Sequence, residues 1–245
     1  MLADTLRELR GLQLRDEDGE VQIIELEPPV TDAEIHKLES RLPSPIPSDI
    51  RAALAVSIGF ANSPLESFSL IDLGGFGLED VFPFAYSIAH DGYGNYWVVD
   101  LHSDSKAWAP VFYACHDPPV ILYQSATIEA FVRDTMQMWQ PGRRSPVDVV
   151  HEDASTHIWR HNPNLIKQPD AARSPDPELR AFAATLAPDF EISDLRQAKL
   201  GDGFSWGRYG PATKIERHGT AHMWAIARPP TLSRIRHFLF GRARQ

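Results

Sequence analysis

Ile35, Leu38 and Leu42 fall on one side of a 3.6-residue period, and Thr31 with Glu34 stands before them as a capping box, so the spacing predicts an amphipathic helix over 31–41. Pro43, Pro45 and Pro47 stop it. Ile50, Leu54 and Ile58, four apart with Ala53 beside them, predict a second helix ending at Gly59. The period then changes. SFSLIDL, VFPFAYSIAH, NYWVVDL, VFYAC and VILYQ are short, β-branched and aromatic, and Gly, Pro, Asn or Asp clusters separate them, which is the pattern of strands joined by turns. A further helix follows Ser125, with Ile128, Phe131, Val132 and Trp139 at helical spacing. Together these predict an α+β fold, a mainly antiparallel sheet covered on one side by helices.

Between two of the strands lies HDGYGNYWVVDL, residues 90–101. A calcium loop beginning at Asp91 would need oxygen ligands at its third and twelfth positions, where Tyr93 and His102 stand. The stretch reads instead as a tight hairpin, with Asp91, Gly92, Gly94 and Asn95 supplying the turn and its positive-φ positions. Alternation then places Trp97, Val99 and Leu101 on one face, the expected core, and Tyr96, Val98 and Asp100 on the other.

Composition shifts at QPGRRSPVDVV, 140–150, and again at KQPDAARSPDPE, 167–178, which divides the chain into 1–141, a linker 142–173 and a back unit 174–245; between the two shifts HEDASTHIWRHNPNL has no clean period and reads as a short helix or loop. In the back unit, Ser174-Pro175-Asp176-Pro177 starts a helix whose buried stripe is Leu179, Phe182, Ala183 and Leu186. FEISDL, GFSW, TKIERH and AHMWAIA follow as short strands, the last two joined through His218-Gly219-Thr220. TLSRIRHFLFGRARQ reads as a short basic closing helix, either one whose apolar side docks on the protein or one for a membrane surface or an acidic partner. This is a small α+β extension packed on the first unit.

The 245 residues contain no run approaching a membrane span, and MLADTLRELR lacks the apolar stretch of a signal peptide, so a cytoplasmic location is expected. The single cysteine, Cys115, fits a reducing compartment. Charge changes the picture more. Residues 1–141 hold 22 Asp and Glu against 8 Lys and Arg, a balance of −14, whereas 142–245 carry +5. An acidic front half repels nucleic acid and steers a basic partner toward it.

Candidate chemistry is incomplete everywhere. Cys115-His116-Asp117 contains the residue types of a triad, but neighbours in a strand point to opposite faces, so Cys115 reads as a buried core residue with Val111 and Tyr113 on its side. His157 and His161, with His151 and Glu152 nearby, could face one side of a helix, yet Pro163 ends it and no His-Glu-x-x-His occurs. In GDGFSWGRYGP, Phe204, Trp206, Arg208 and Tyr209 could form a ligand platform or pack a small core. No nucleophile elbow, Walker loop or dinucleotide fingerprint is present. No catalytic residue, metal or cofactor is therefore expected.

The proline-led LPSPIPSDIRAALAVSIGF, the hairpin FAYSIAHDGYGNYWVVDL, the pair VFYACHDPPVILYQ and the closing SATIEAFVRD together resemble the SUKH superfamily, over about residues 25–140. The most specific element is Asp91-Gly92-x-Gly94-Asn95, followed by an aromatic strand ending Asp100-Leu101 and by His116-Asp117. The resemblance implies a non-enzymatic α+β domain with a twisted central sheet. Bacterial members are similar to immunity proteins that neutralise toxins, and fungal members act as interaction scaffolds. It also implies no catalytic residue. The expectation is thus a protein-binding module whose acidic residues 1–141 suffice to bind a basic partner, a cognate toxin in the immunity sense. A cell-wall or regulatory scaffold, or an enzyme using Cys115 or the histidines at 151–161, stand as the alternatives.

Overall fold

The computed structural model describes residues 1–229 except Glu17, Asn62, Glu66, 72–74, Phe76, Pro141 and Pro211. The basic helix expected over 231–245 lies outside the described residues. Helix α1 (Leu2–Leu9) precedes the elements that the periodicity predicts and buries Leu2, Leu6 and Leu9. A hairpin of β1 (Gln13–Arg15) and β2 (Val21–Ile23) leads to β3 (Glu25–Leu26). Helix α2 (Asp32–Glu39) starts on the expected capping box. The Glu34 amide donates to Thr31 Oγ1 at 3.3 Å, and the Thr31 amide donates to the Glu34 carboxylate at 2.8 Å.

Helix α3 (Ser48–Leu54) ends earlier than the expected Gly59. That glycine belongs to β4 (Gly59–Ala61), where a Cβ would stand 2.0 Å from the Phe68 carbonyl oxygen. Close strand approach, rather than a helix stop, explains it. The strands β5 (Ser67–Ser69), β6 (Ala85–His90), β7 (Tyr96–Asp100), β8 (Val111–His116) and β9 (Pro119–Ser125) follow, then α4 (Ile128–Gln137).

Residues read as a linker are mostly helical. Helix α5 (Pro146–Asp148), a π-helical segment (Val149–Ala154) and α6 (Ser155–His161) run on continuously, and Val147, Val150 and Ile158 enter the main core. Ser145 and Asp148 form a second capping box at the start, with Pro146 at the first position. Asn162, at φ 44°, closes the end in the left-handed conformation. Beyond lie β10 (Ile166–Lys167), α7 (Gln168–Ala171), α8 (Pro177–Ala184), β11 (Phe190–Asp194), β12 (Gly203–Ser205), β13 (Ile215–Arg217) and β14 (Met223–Ala227). Asp176 caps α8, and Leu179, Phe182 and Ala183 are its buried stripe.

The protein is α+β and its strand pairs are antiparallel. Eight strands form one sheet in the order β12-β9-β8-β7-β6-β5-β4-β3, and four form another, β10-β11-β14-β13. Alternation sorts the large sheet as expected: Trp97, Val99, Leu101, Tyr113 and Cys115 face the helices. The opposite face is not open. Val98, Phe112, Ala114, Ile121 and Phe204 pack against Trp224 and Ile226 of the small sheet. The sheet covered on one side is therefore, over its central strands, covered on both. The back unit is also woven in, because β12 pairs with β9 at the edge of the large sheet. Among the described residues no helix is long and apolar enough to cross a membrane.

Candidate functional site

The turn between β6 and β7 is held by one carboxylate. Asp91 Oδ1 accepts from the amides of Tyr93 at 2.8 Å and Asn95 at 3.2 Å, and Oδ2 accepts from Asn95 Nδ2 at 2.6 Å. Such an Asx turn replaces backbone partners that a two-glycine loop lacks. Gly92 and Gly94 adopt φ of 76° and 86°. The ring of His116, at the end of β8, places Nδ1 3.1 Å from both the Gly94 carbonyl and Asn95 Oδ1. His151, from the π-helical segment, brings Nε2 to 3.4 Å from Asp91 Oδ2 and stacks beside Trp97.

Burial opposes the charge of Asp91, but the hydrogen bonds from His151, from the Asn95 side chain and from the two amides outweigh it and hold its pKa at about 2. A carboxylate so occupied is neither a general base near neutral pH nor a ready metal ligand. The arrangement presents the ring of Tyr93, 83 % exposed, at the tip of a fixed loop. Asp91, Gly92, Gly94 and Asn95 thus come together as one turn, and His116 and His151 are the supports that a local reading of the hairpin does not reach.

The other candidates separate. Cys115 is buried on the helix side, with its thiol pKa raised by burial, while His116 and Asp117 are exposed. His157 and His161 face each other at 4.8 Å between ring centroids on α6, where the His161 Nδ1–H donates to the His157 carbonyl at 3.1 Å. Among the described residues no group of three or more His, Cys, Asp or Glu side chains could hold a metal ion.

The glycine-spaced aromatics serve packing. Phe204 is fully buried, Trp206 donates to the Cys115 carbonyl at 3.1 Å, and Tyr209 donates to Glu191 at 2.8 Å. Arg208 donates to the carbonyls of Trp159 and Arg160 at the end of α6. A groove of about 600 Å³ runs between Leu38, Leu42 and Pro43 on one side and Phe84, Tyr86 and Leu101 on the other. Its described wall contains no carboxylate, histidine or cysteine. Comparison with family models, with curated proteins and with solved structures returns no match.

Proposed function

We propose that this chain is a non-enzymatic, cytoplasmic protein-binding module of the SUKH-like immunity kind, which neutralises a basic bacterial toxin through an acidic surface. The observation that supports this reading is the distribution of unneutralised charge. Residues 16–34 hold eight acids and no Lys or Arg. Asp18, Glu20, Glu25, Glu27 and Asp32 are exposed, and no ion pair from the described residues reaches them.

The back unit treats its acids differently. Arg196 binds Asp176, Glu178 and Asp194 at 2.7, 2.6 and 2.6 Å. Glu191 pairs with Arg228 and Glu216 with Lys214. Carboxylates already paired contribute little field at a distance, so the attraction for a cation comes from the front of the chain.

The test is association of the full chain with the product of a neighbouring toxin-like gene, measured against ionic strength. Steering by this field makes association slow markedly as the Debye length shortens to about 8 Å at 0.15 M salt. Reversing Glu25 and Glu27 to Lys slows it further. Salt-independent association, or no complex, overturns the reading; a complex with an envelope or regulatory protein instead favours the scaffold.

A further inference from the structure

The β1–β2 hairpin is a two-stranded sheet of its own, outside both larger sheets. Its register sets Gln13 against Ile23, Leu14 against Gln22 and Arg15 against Val21. The Ile24 amide donates to the Leu12 carbonyl at 2.9 Å, and the Asp16 amide to the Glu20 carbonyl at 3.0 Å. Hydrogen-bonded pairs alternate in an antiparallel ladder, so they are 12 with 24, 14 with 22 and 16 with 20. Val21 and Ile23 occupy the alternate positions. Their amides and carbonyls point away from β1, to an outer edge where no described residue bonds them.

The side chains of Val21 and Ile23 share one face and are 47 % and 45 % exposed, while the adjacent Ile24 is 1 % exposed in the core. An unpaired edge carrying β-branched residues is a template for another strand. Proteins usually blunt such an edge with lysine, proline or a bulge, and β2 has none of these. Its flanks are acidic: Asp18 and Glu20 in the turn, Glu25 just beyond the strand. A second copy of this chain would bring like charges to the same edge, which opposes self-pairing. The edge of β1 carries Gln13 and Arg15, and that cation opposes a basic strand.

We propose that the outer edge of β2 is a docking strand for an extended basic segment of the partner protein, which adds as a third strand. Its apolar residues cover Val21 and Ile23 while its Lys or Arg side chains meet Asp18, Glu20 and Glu25. This rests on the reading that the partner is basic and names how it is gripped.

The probe is an eight-residue peptide alternating Lys and Val, titrated into the full chain and followed by backbone amide NMR. Binding is expected to shift the Val21 and Ile23 amides and slow their exchange. Val21→Pro, which removes an outward amide at an edge position that tolerates proline, and Ile23→Asp, which leaves the edge backbone intact, should each weaken binding at least about tenfold while leaving the remaining spectrum in place. Undiminished binding to either variant relative to the parent protein, shifts confined to other elements, an equally tight Lys–Gly peptide, or no binding to the parent protein overturns the docking strand. Salt-dependent association of the whole partner that persists in these variants leaves the proposed function standing and overturns only this site.

Discussion

Asp100, the last residue of β7, and Arg217, the last of β13, meet in a two-pronged ion pair although 117 positions separate them. Arg217 Nη1 donates to Asp100 Oδ1 at 3.1 Å, and the second arm joins Nη2 to Oδ2. Their side chains are 1 % and 6 % exposed. His222 Nε2 lies 2.9 Å from the same carboxylate, and the guanidinium sits about 5 Å from the rings of Phe82, Phe84 and Trp224. Two sheets that could have met through apolar contact alone are thereby held in one registry.

Removing one partner strands the other charge in a dry site. Arg217→Ala and Asp100→Ala should each lower unfolding free energy by about 3 kcal/mol or more, and the double variant by far less than their sum. Urea unfolding of the four proteins measures the coupling. Additivity within about 0.5 kcal/mol would show that the pair is not what joins the sheets.

Asp91 makes stability depend on acid. Its pKa is depressed from the ordinary 3.8 to about 2, so its contribution is present above pH 4 and disappears as pH falls through 2. The shift corresponds to about 2 kcal/mol. Asp91→Asn should cost about that much at pH 7, and the gap to the parent protein should close between pH 4 and pH 2 as the parent's own carboxylate protonates. A gap independent of pH would mean that geometry, not charge, holds the turn.

At Gly94 the backbone and the neighbour act together. A Cβ there would adopt φ 86° and stand 3.1 Å from His116 Cε1. Gly94→Val should cost at least about 1 kcal/mol in urea unfolding and displace the His116 ring resonances. Unchanged stability would require a different turn from the one described.

Cys115 is 2 % exposed, and burial raises its thiol pKa, so reactive thiolate is scarce near neutral pH. A thiol reagent should label it slowly in the native protein and within mixing time in urea. Fast native labelling with a depressed thiol pKa would revive the enzyme alternative.

What could be read from the sequence was whatever depended on local period. Thr31 with Glu34, the alternation through Trp97 and Val99, and the Asp176 cap each depend on residues a few positions apart, and each stands where expected. Gly59 misled because a glycine after a helical stretch looks the same whether it ends a helix or admits a close strand; Phe68, nine positions on, decides. Between helix and loop for 151–165 the sequence does not choose, although Ser145, Pro146 and Asp148 carry a start signal, because the polar surface of 151–161 masks an apolar stripe of only a few residues; the structure is helical there. The supports of the Asp91 turn and the Asp100–Arg217 pair are long-range and carry no periodic signature.

The same long-range packing decides whether residues 1–141 can act alone, as the sequence reading expects for binding. In that fragment Val98, Phe112, Ala114 and Ile121 would lose the small sheet, and the main core would lose Val147, Val150 and Ile158. Exposing a large apolar side chain costs about 1.5–3 kcal/mol, so several together are comparable to the 5–15 kcal/mol that typically separates folded from unfolded domains. The fragment 1–141 should therefore aggregate or show weak, non-cooperative unfolding, whereas the full chain should unfold in one transition. Size-exclusion chromatography and urea titration of both check this. If 1–141 is monomeric and unfolds cooperatively, the two-sided covering of the sheet is an accessory. If it fails, the acids proposed to meet a partner sit on the front of the chain but depend on the back of the chain for their shape, and binding has to be measured by point changes in the β1–β2 hairpin of the full chain rather than by dissection.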